Sequence, residues 1–468
     1  MDFTYKRKMR KNMKFRAPVS KNETYDVTIM DLTYQGMGVA KIDSFPIFVA
    51  NSLPGEEIVM KVTKVAKTYA FGRVEEWKSK SPNRVEIKDA QYTQTGIAPL
   101  QHLAYPAQLE FKQHQIQELF YKVHLNSIEV SPTVGMDKPY GYRNKAQIPV
   151  RRVNGQLTTG FYRRNSHELV PIENFYIQDP EIDKAIIVVR DILRKYHTEP
   201  YNETNHTGVI KTIMVRRGHY SHEMMIVLIT RAKKIPMNFE IVEEIRKQLP
   251  EVKSIVQNIN AAQTNVLMGK EEKLLWGSGV IHDTLLGLTF AISADSFYQV
   301  NPVQTEKLYD LAIKKAGLTG KETVIDAYCG IGTISLAMAQ HAKTVYGVEV
   351  VDKAIQDAKI NAKLNKIHNV KFFTGKAEDQ MDQWQHDGLE PDVIVVDPPR
   401  KGLAPEFITA ATAMQPKRFV YVSCNPSTLV RDVQIFMDNG YHVDQPVVPV
   451  DQFPQTPHVE SVTVLVKD

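Results

Sequence analysis

A thiol, a carboxylate and a short glycine loop carry the chemistry this chain could do. Cys424 follows Arg418-Phe419-Val420-Tyr421-Val422, an apolar, β-branched and aromatic run that reads as a buried strand. The residues that follow, Ser423-Cys424-Asn425-Pro426, cannot continue a sheet. A thiol at the carboxyl end of a strand points into the crevice where α/β sheets bind ligands. The plainer reading of Cys424 is a small buried hydrophobe. A thiolate can add to C6 of a uracil ring, which turns C5 into an enolate carbon able to attack a methyl sulfonium. A base must then remove the C5 proton so that the sulfur can leave. Glu460, in Pro457-His458-Val459-Glu460-Ser461, leads into the last strand and is the candidate. His458 is a second candidate, or a group that orients its neighbours.

Asp326-Ala327-Tyr328-Cys329-Gly330-Ile331-Gly332-Thr333 follows one strand and opens a helix. Its glycines let backbone approach a ligand at the helix N-terminus. Glu349 ends the next strand, where a carboxylate can take both hydroxyls of a ribose. A dinucleotide site has the same outline but wants a third glycine, and Ser335 holds that place. S-adenosylmethionine suits the loop better, because it lacks phosphates and carries an ammonium for a carboxylate to meet. Cys329 reads as a small residue filling the loop. Asp397-Pro398-Pro399-Arg400-Lys401-Gly402 follows a further strand, Asp392–Asp397.

These residues need a sheet to hold them. From about residue 293 strand and helix alternate: Thr323–Asp326, Thr344–Glu349, Val370–Phe373, Asp392–Asp397 and Phe419–Ser423 are strands, and Val459–Val466 adds a late one. That is a doubly wound, mostly parallel α/β sheet. Pro302 to Gly317 reads as a helix with proline in its first turn and glycine at its C-cap. Upstream, residues 22–78 hold five short strand-like runs separated by turns, which suggests a small barrel of oligonucleotide-binding type. Ser79–Arg84 reads as a polar linker, and 103–122 as an amphipathic helix expected to pack on the catalytic domain. The expected organisation is a basic tail at 1–21, the barrel at 22–78, a mixed α+β middle domain at 79–292 and a catalytic domain at 293–468.

Bulk composition fits a soluble protein of several domains: 43% hydrophobic, 24% charged, with no apolar run of membrane-span length. Only two cysteines are present, so no disulfide framework holds the chain and a cytoplasmic setting is expected. Eight of the 58 Lys/Arg lie in residues 1–21 against one acid, which leaves 50 basic and 52 acidic residues elsewhere. The excess positive charge is therefore local, as in an arm that binds a polyanion. In the middle region Arg143, Lys145, Arg151, Arg152, Arg163, Arg164, Arg216 and Arg217 cluster at strand ends with Tyr142, Tyr162 and Tyr220 among them. Arginine interleaved with aromatics suits RNA.

The runs Ser296-Phe297-Tyr298-Gln299-Val300-Asn301, Asp326–Thr333, Asp397–Gly402, Ser423–Pro426 and His458-Val459-Glu460 together resemble the motifs of the RNA uracil-C5 methyltransferases. The barrel looks like a TRAM domain, so the likeness spans nearly the whole chain. It is closest to the bacterial 23S ribosomal RNA (uracil-5-)-methyltransferases. The resemblance implies a Rossmann-like catalytic domain that uses S-adenosyl-L-methionine on ribosomal RNA; the alternatives are the same chemistry on transfer RNA, or a non-catalytic RNA-binding protein of ribosome assembly. It implies Cys424 as nucleophile and Glu460 as base. Gln299, Tyr328, Glu349 and Asp397 match positions lining the donor and uracil pockets, and Gly330 of the glycine loop is a further candidate for cofactor contact. Phe297 matches an aromatic near the flipped base, and Asp397, Arg143 and Lys145 are further candidates for substrate contact. Neither a membrane nor an obligate protein partner is implied.

One departure is informative. Many relatives carry a four-cysteine iron–sulfur site, but Asp89, Thr95, Ala98 and Phe175 stand at those positions here. Four thiolates are needed for that cluster, so none is expected, nor any other metal.

Overall fold

The computed structural model describes residues 17–444 and 446–468. Most of the basic tail at 1–21 lies outside the described residues. The chain forms two compact units. One runs to Thr93 and includes Ala98–Gln108 and Gln455–Pro457; the other holds Gln94–Ile97, Leu109–Pro454 and His458–Asp468.

The first unit contains a six-stranded sheet in the order Thr24–Thr28, Glu57–Val65, Ala70–Ser79, Phe45–Ala50, Gly38–Ile42, Asp31–Leu32. In Phe45–Ala50 every second side chain is buried, so Phe45, Ile47 and Val49 line the core with Ile58, Met60 and Val62. The sixth strand, Asp31–Leu32, is too short to leave a pattern in the sequence. Ser79–Arg84 is mostly exposed, and its last residue anchors it. The Arg84 guanidinium lies over the Trp77 ring and donates to the fully buried Glu56, from Nε at 2.5 Å and from Nη2 at 2.8 Å. Arginine outcompetes solvation here because its planar fork meets both carboxylate oxygens.

The second unit carries two large sheets. The first has seven strands, ordered Glu271–Gly277, Val252–Ile259, Met224–Thr230, Ile210–Arg217, Lys145–Val153, Gln156–Tyr162, Leu169–Pro171. The second has eight. Five run parallel in the order Val370–Thr374, Thr344–Glu349, Thr323–Ala327, Val393–Val396, Arg418–Ser423. Glu460–Lys467 then runs antiparallel between Arg418–Ser423 and Tyr441–Val443, and also pairs with Val448–Val450. The inner strands are apolar throughout because helices cover both faces. Ile116 and Phe120, from the helix Tyr105–Lys122, are fully buried among Ile325, Val348 and Phe419 of this sheet. Ala98 and Phe175 are buried apolar side chains. Among the described residues, no cluster of His, Cys, Asp or Glu could hold a metal ion. No described helix is long and apolar enough to cross a membrane.

Lys112 and Asp451 form an ion pair with both side chains at zero exposure, and Lys112 also donates to the Phe453 carbonyl at 3.1 Å. This fixes the segment leading into the last strand. Lys112→Met removes the cation that faces the fully buried Asp451 carboxylate, and breaking a buried pair on one side costs about 3–5 kcal/mol. Thermal or urea unfolding of the variant is expected to show that loss. Adding Asp451→Leu should recover most of it.

Candidate active site

The parallel strands place their carboxyl ends at one edge. Ala327 pairs with Val348 on one side and Val396 on the other, and Val396 pairs with Tyr421. The loop after Ala327, Asp397 and Cys424 therefore all leave the sheet at the same level. That edge is where doubly wound sheets bind ligands. The antiparallel strand completes it. Ser461 is the register partner of Ser423, so Glu460 enters the sheet where Cys424 leaves it.

Local structure fixes Cys424 tightly. Asn425 caps the helix Pro426–Asp438 by accepting from the Ser427 N–H at 3.2 Å, and Pro426 fills the first turn. Asn425 Nδ2 donates to the Arg400 carbonyl at 2.8 Å, tying the Asp-Pro-Pro-Arg loop to the cysteine turn. Asp432 of the same helix accepts from Tyr421 Oη at 2.7 Å and from the Leu403 N–H at 2.9 Å. A Cβ at Gly402, where φ is +74°, would meet the Asp432 carboxylate at 2.7 Å, so that turn needs glycine.

The site is short of positive charge. Burial, then Glu460, then Asp397 push the Cys424 thiol up to about 12, with Arg400 acting in the opposite direction. Burial and Asp397 hold the Glu460 carboxyl well above the usual range, again with Arg400 opposing. Asp397 rises to about 7 through desolvation. Arg400 is thus a cation facing the thiol and the Glu460 carboxyl, and nothing in the residue pattern singles it out of its loop. His458 is exposed, and burial of its ring nitrogens together with Arg400 and Lys112 lowers its pKa.

The glycine loop lies at the same edge. Tyr328 (φ +71°), Gly330 (φ +53°) and Gly332 (φ +85°) turn the chain back, and the Tyr328 and Cys329 N–H groups donate to the Val348 carbonyl, each at 3.0 Å. A Cβ at Gly330 would meet nothing within 4 Å, so the loop borders open space. Asp326 is buried and raised to about 7, first by desolvation. One of its oxygens accepts from Ser335 Oγ at 2.5 Å, while Oδ1 has no partner. Ser335, which breaks the dinucleotide pattern, therefore serves this carboxylate. Cys329 is buried within the loop, with its thiol held protonated by desolvation first. Glu349 ends its strand beside the loop and accepts from the Val351 N–H at 3.0 Å.

Gln299 joins this group through Tyr309, a residue that sequence reasoning missed. Tyr309 is buried on the helix Pro302–Ala316, and the side chains of Gln299 and Thr333 both hydrogen-bond its hydroxyl. Burial and the nearby Asp397 hold that hydroxyl protonated. Phe297 projects with 68% of its surface exposed. Asn144 Nδ2 donates to the Gln299 carbonyl at 3.1 Å, which brings Arg143 and Lys145 beside the same loop. The wider basic cluster is not one free surface. Arg151, Arg152, Arg163 and Arg217 are each paired with a carboxylate.

The family model of the tRNA (uracil-5-)-methyltransferases matches residues 104–468. The chain belongs to that family. The TRAM domain model matches residues 18–74, over the six-stranded sheet. Among curated relatives of this methyltransferase is an uncharacterized RNA methyltransferase of Lactiplantibacillus plantarum, 64% identical and covering 97% of this chain and 100% of the relative. Another, from Enterococcus faecalis, is 53% identical over 96% of this chain and 98% of its own. The crystal structure of the Pyrococcus abyssi tRNA (uracil-54, C5)-methyltransferase in complex with S-adenosyl-L-homocysteine superposes with a TM-score of 0.75 and 27% identity, covering 94% of this chain and 99% of that one. This uracil-5-methyltransferase has the Rossmann-like fold of S-adenosylmethionine-dependent enzymes, preceded by a TRAM domain.

Proposed function

We propose that this protein methylates C5 of uridine in 23S ribosomal RNA. The observation that carries the reading is the pairing of Ser423 with Ser461, which sets Cys424 beside Glu460 at the edge that holds the glycine loop. The Cys424 thiol gives its proton to solvent, and the thiolate Sγ adds to C6 of the uracil and pushes electrons onto O4. S-adenosylmethionine, when bound, supplies the electrophilic methyl group that C5 takes. Glu460 removes the C5 proton, the C5–C6 double bond reforms and the C6–Sγ bond breaks. Asp397 and Arg400 border the uracil. Protonated, the Asp397 carboxyl can accept from the ring's N3–H and donate to O4; ionised, it can only accept from N3–H. The base must leave its stack to reach the pocket, as in other enzymes that act on bases.

Asp326 is the carboxylate suited to the donor's ammonium, through the oxygen left without a partner. Gly330 gives the donor room, Glu349 would take its ribose, and Tyr328 and Gln299 would complete its pocket. Because Asp326 titrates near 7, its charge is present above that pH and lost below it. Donor affinity by calorimetry is therefore expected to rise about tenfold between pH ~6 and ~8 in the native protein. Asp326→Asn should weaken binding by roughly tenfold or more at the higher pH and flatten the profile. An unchanged profile in the variant would reassign the ammonium contact.

A second reading, the same chemistry on transfer RNA, is favoured by one observation. The Pyrococcus abyssi tRNA (uracil-54, C5)-methyltransferase covers 94% of this chain. Incubating the protein with methyl-labelled donor and separately purified ribosomal and transfer RNA decides between the two. Label in 5-methyluridine of the 23S fraction is expected, and label confined to transfer RNA would replace the first reading with the second.

A further inference from the structure

We infer that Lys145, Arg143 and Arg216 form a binding site for an RNA phosphodiester beside the loop carrying Phe297 and Gln299, holding the backbone next to the target uridine. The inference rests on the function proposed above. Arg216 is the register partner of Lys145 in the antiparallel pair of Ile210–Arg217 with Lys145–Val153. Register partners project from the same face of a sheet, and like charges set opposite one another are destabilising. Arg143 adds a third cation to the field at Lys145. The neighbouring residue Arg217 shows how the same sheet treats an arginine with a structural role: Asp179 and Glu251 neutralise it at 2.9 and 2.8 Å.

No carboxylate does this for the trio. Among the described residues none of the three is in an ion pair, and no acceptor takes a hydrogen bond from the Lys145 amine. Burial first, then Arg216 and Arg143, lower that amine to about 7. Arg216 is 5% exposed, donates to the Ala294 carbonyl at 3.4 Å and to the Ser296 carbonyl, and keeps a buried Nε without an acceptor. Asp295 eases the charge on Arg216 from a distance, but is itself bonded to Lys353 at 2.6 Å. Buried positive charge without a counter-ion is costly unless a ligand supplies one.

A phosphodiester is such a counter-ion: always ionised, with two exposed acceptor oxygens. The geometry places it near the reacting base. The Asn144 N–H donates to the Val300 carbonyl at 2.9 Å, and its side chain holds the Gln299 carbonyl, so the cations and the Gln299 loop form one block. The exposed Phe297 on that loop offers a ring for a base to stack on. That pairing of anion site and stacking ring favours RNA over free phosphate.

The test uses the full-length protein without donor and a fluorescein-labelled decauridylate, read by anisotropy from about pH 6 to about pH 9. Binding the phosphodiester protonates Lys145. Affinity is therefore greatest below its free pKa and falls as pH rises above about 7, approaching tenfold per unit. Lys145→Met should lose about tenfold in affinity at pH ~6, lose the pH dependence and reduce the salt slope by about one. Lys145→Arg should bind at every pH with a flat profile. A melting curve on each variant separates misfolding from lost binding. If Lys145→Met binds as tightly as the native protein, or Lys145→Arg keeps the native pH profile, the site is overturned. If Lys145 behaves as expected while no uridine is methylated, the phosphodiester site stands and the proposed reaction falls; methylation with no Lys145 effect gives the reverse.

Discussion

Cys424→Ala is expected to reduce uridine methylation by on the order of 10⁴ to 10⁶-fold, the scale on which covalent mechanisms lose a nucleophile. Donor affinity should stay within about twofold, because the glycine loop reaches the edge on a different strand from Cys424. Cys424→Ser is expected to be nearly as inactive, since a hydroxyl at that position ionises less readily still. Burial and the two neighbouring carboxylates make a further demand on the thiol. With its pKa pushed up to about 12, only a minute fraction is thiolate near neutrality, and that fraction grows about tenfold per pH unit. Alkylation of Cys424 by iodoacetamide should therefore rise log-linearly between pH ~7 and ~10 without a plateau. Cys424→Ala supplies the background from buried Cys329. A plateau near pH 8 would mean that the thiol is activated before any ligand enters, contrary to a pocket where Glu460 and Asp397 both oppose the thiolate. Arg400 works the other way, and its loss should slow alkylation further.

Much of this site is legible in the chain because strand ends are. Cys424, Asp397 and Glu349 each follow an unbroken apolar run, and a parallel sheet must bring such ends together. What the chain does not display is strand order. The pairing of Ser423 with Ser461 joins two strands whose antiparallel neighbourhood leaves no local mark, so Glu460 could be nominated as a base but not placed. Tyr309 is hidden for a related reason. It occupies the buried face of an ordinary amphipathic helix, and only the fold shows that its hydroxyl meets Gln299 and Thr333. The helix Asn238–Gln248 escapes notice because Met237, at its N-cap with φ +53°, makes no capping bond and gives no start signal. The strand Glu271–Gly277 is exposed along most of its length and has no alternation to read. Charge pairing is the most non-local property of all. Arg151 finds Glu203 fifty-two positions away and Arg217 finds Glu251 thirty-four away. Eight basic residues that look alike in sequence thus divide into those already neutralised and the few that remain available.

Glu460→Gln separates the two halves of the proposed reaction and should leave a covalent protein–RNA adduct. Addition of Cys424 to C6 and methyl transfer to C5 do not need Glu460 as a base, so both proceed. Loss of the C5 proton does need it, and without that step the C6–Sγ bond cannot break. A denaturing gel should show a slow-migrating, nuclease-sensitive band that carries methyl label, with turnover reduced by roughly 10² to 10⁴-fold, the span typical of a general base. The substitution suits the test because glutamine keeps the shape of a side chain that is only 4% exposed. It also removes one of the two carboxylates that hold the thiol protonated, so the addition step should be faster rather than slower. That gives the experiment two independent readings. Adduct formation with quicker iodoacetamide labelling in the free variant fits Glu460 as the base beside Cys424. Quicker labelling without an adduct would leave Glu460 as a neighbour of the thiol and move the base role to another group. His458→Asn is the next variant to examine in that case, because its imidazole is held neutral and stands two residues away. Asp397→Asn distinguishes the remaining carboxylate: it should weaken addition itself, by disturbing the contacts to the uracil, and should therefore yield no adduct.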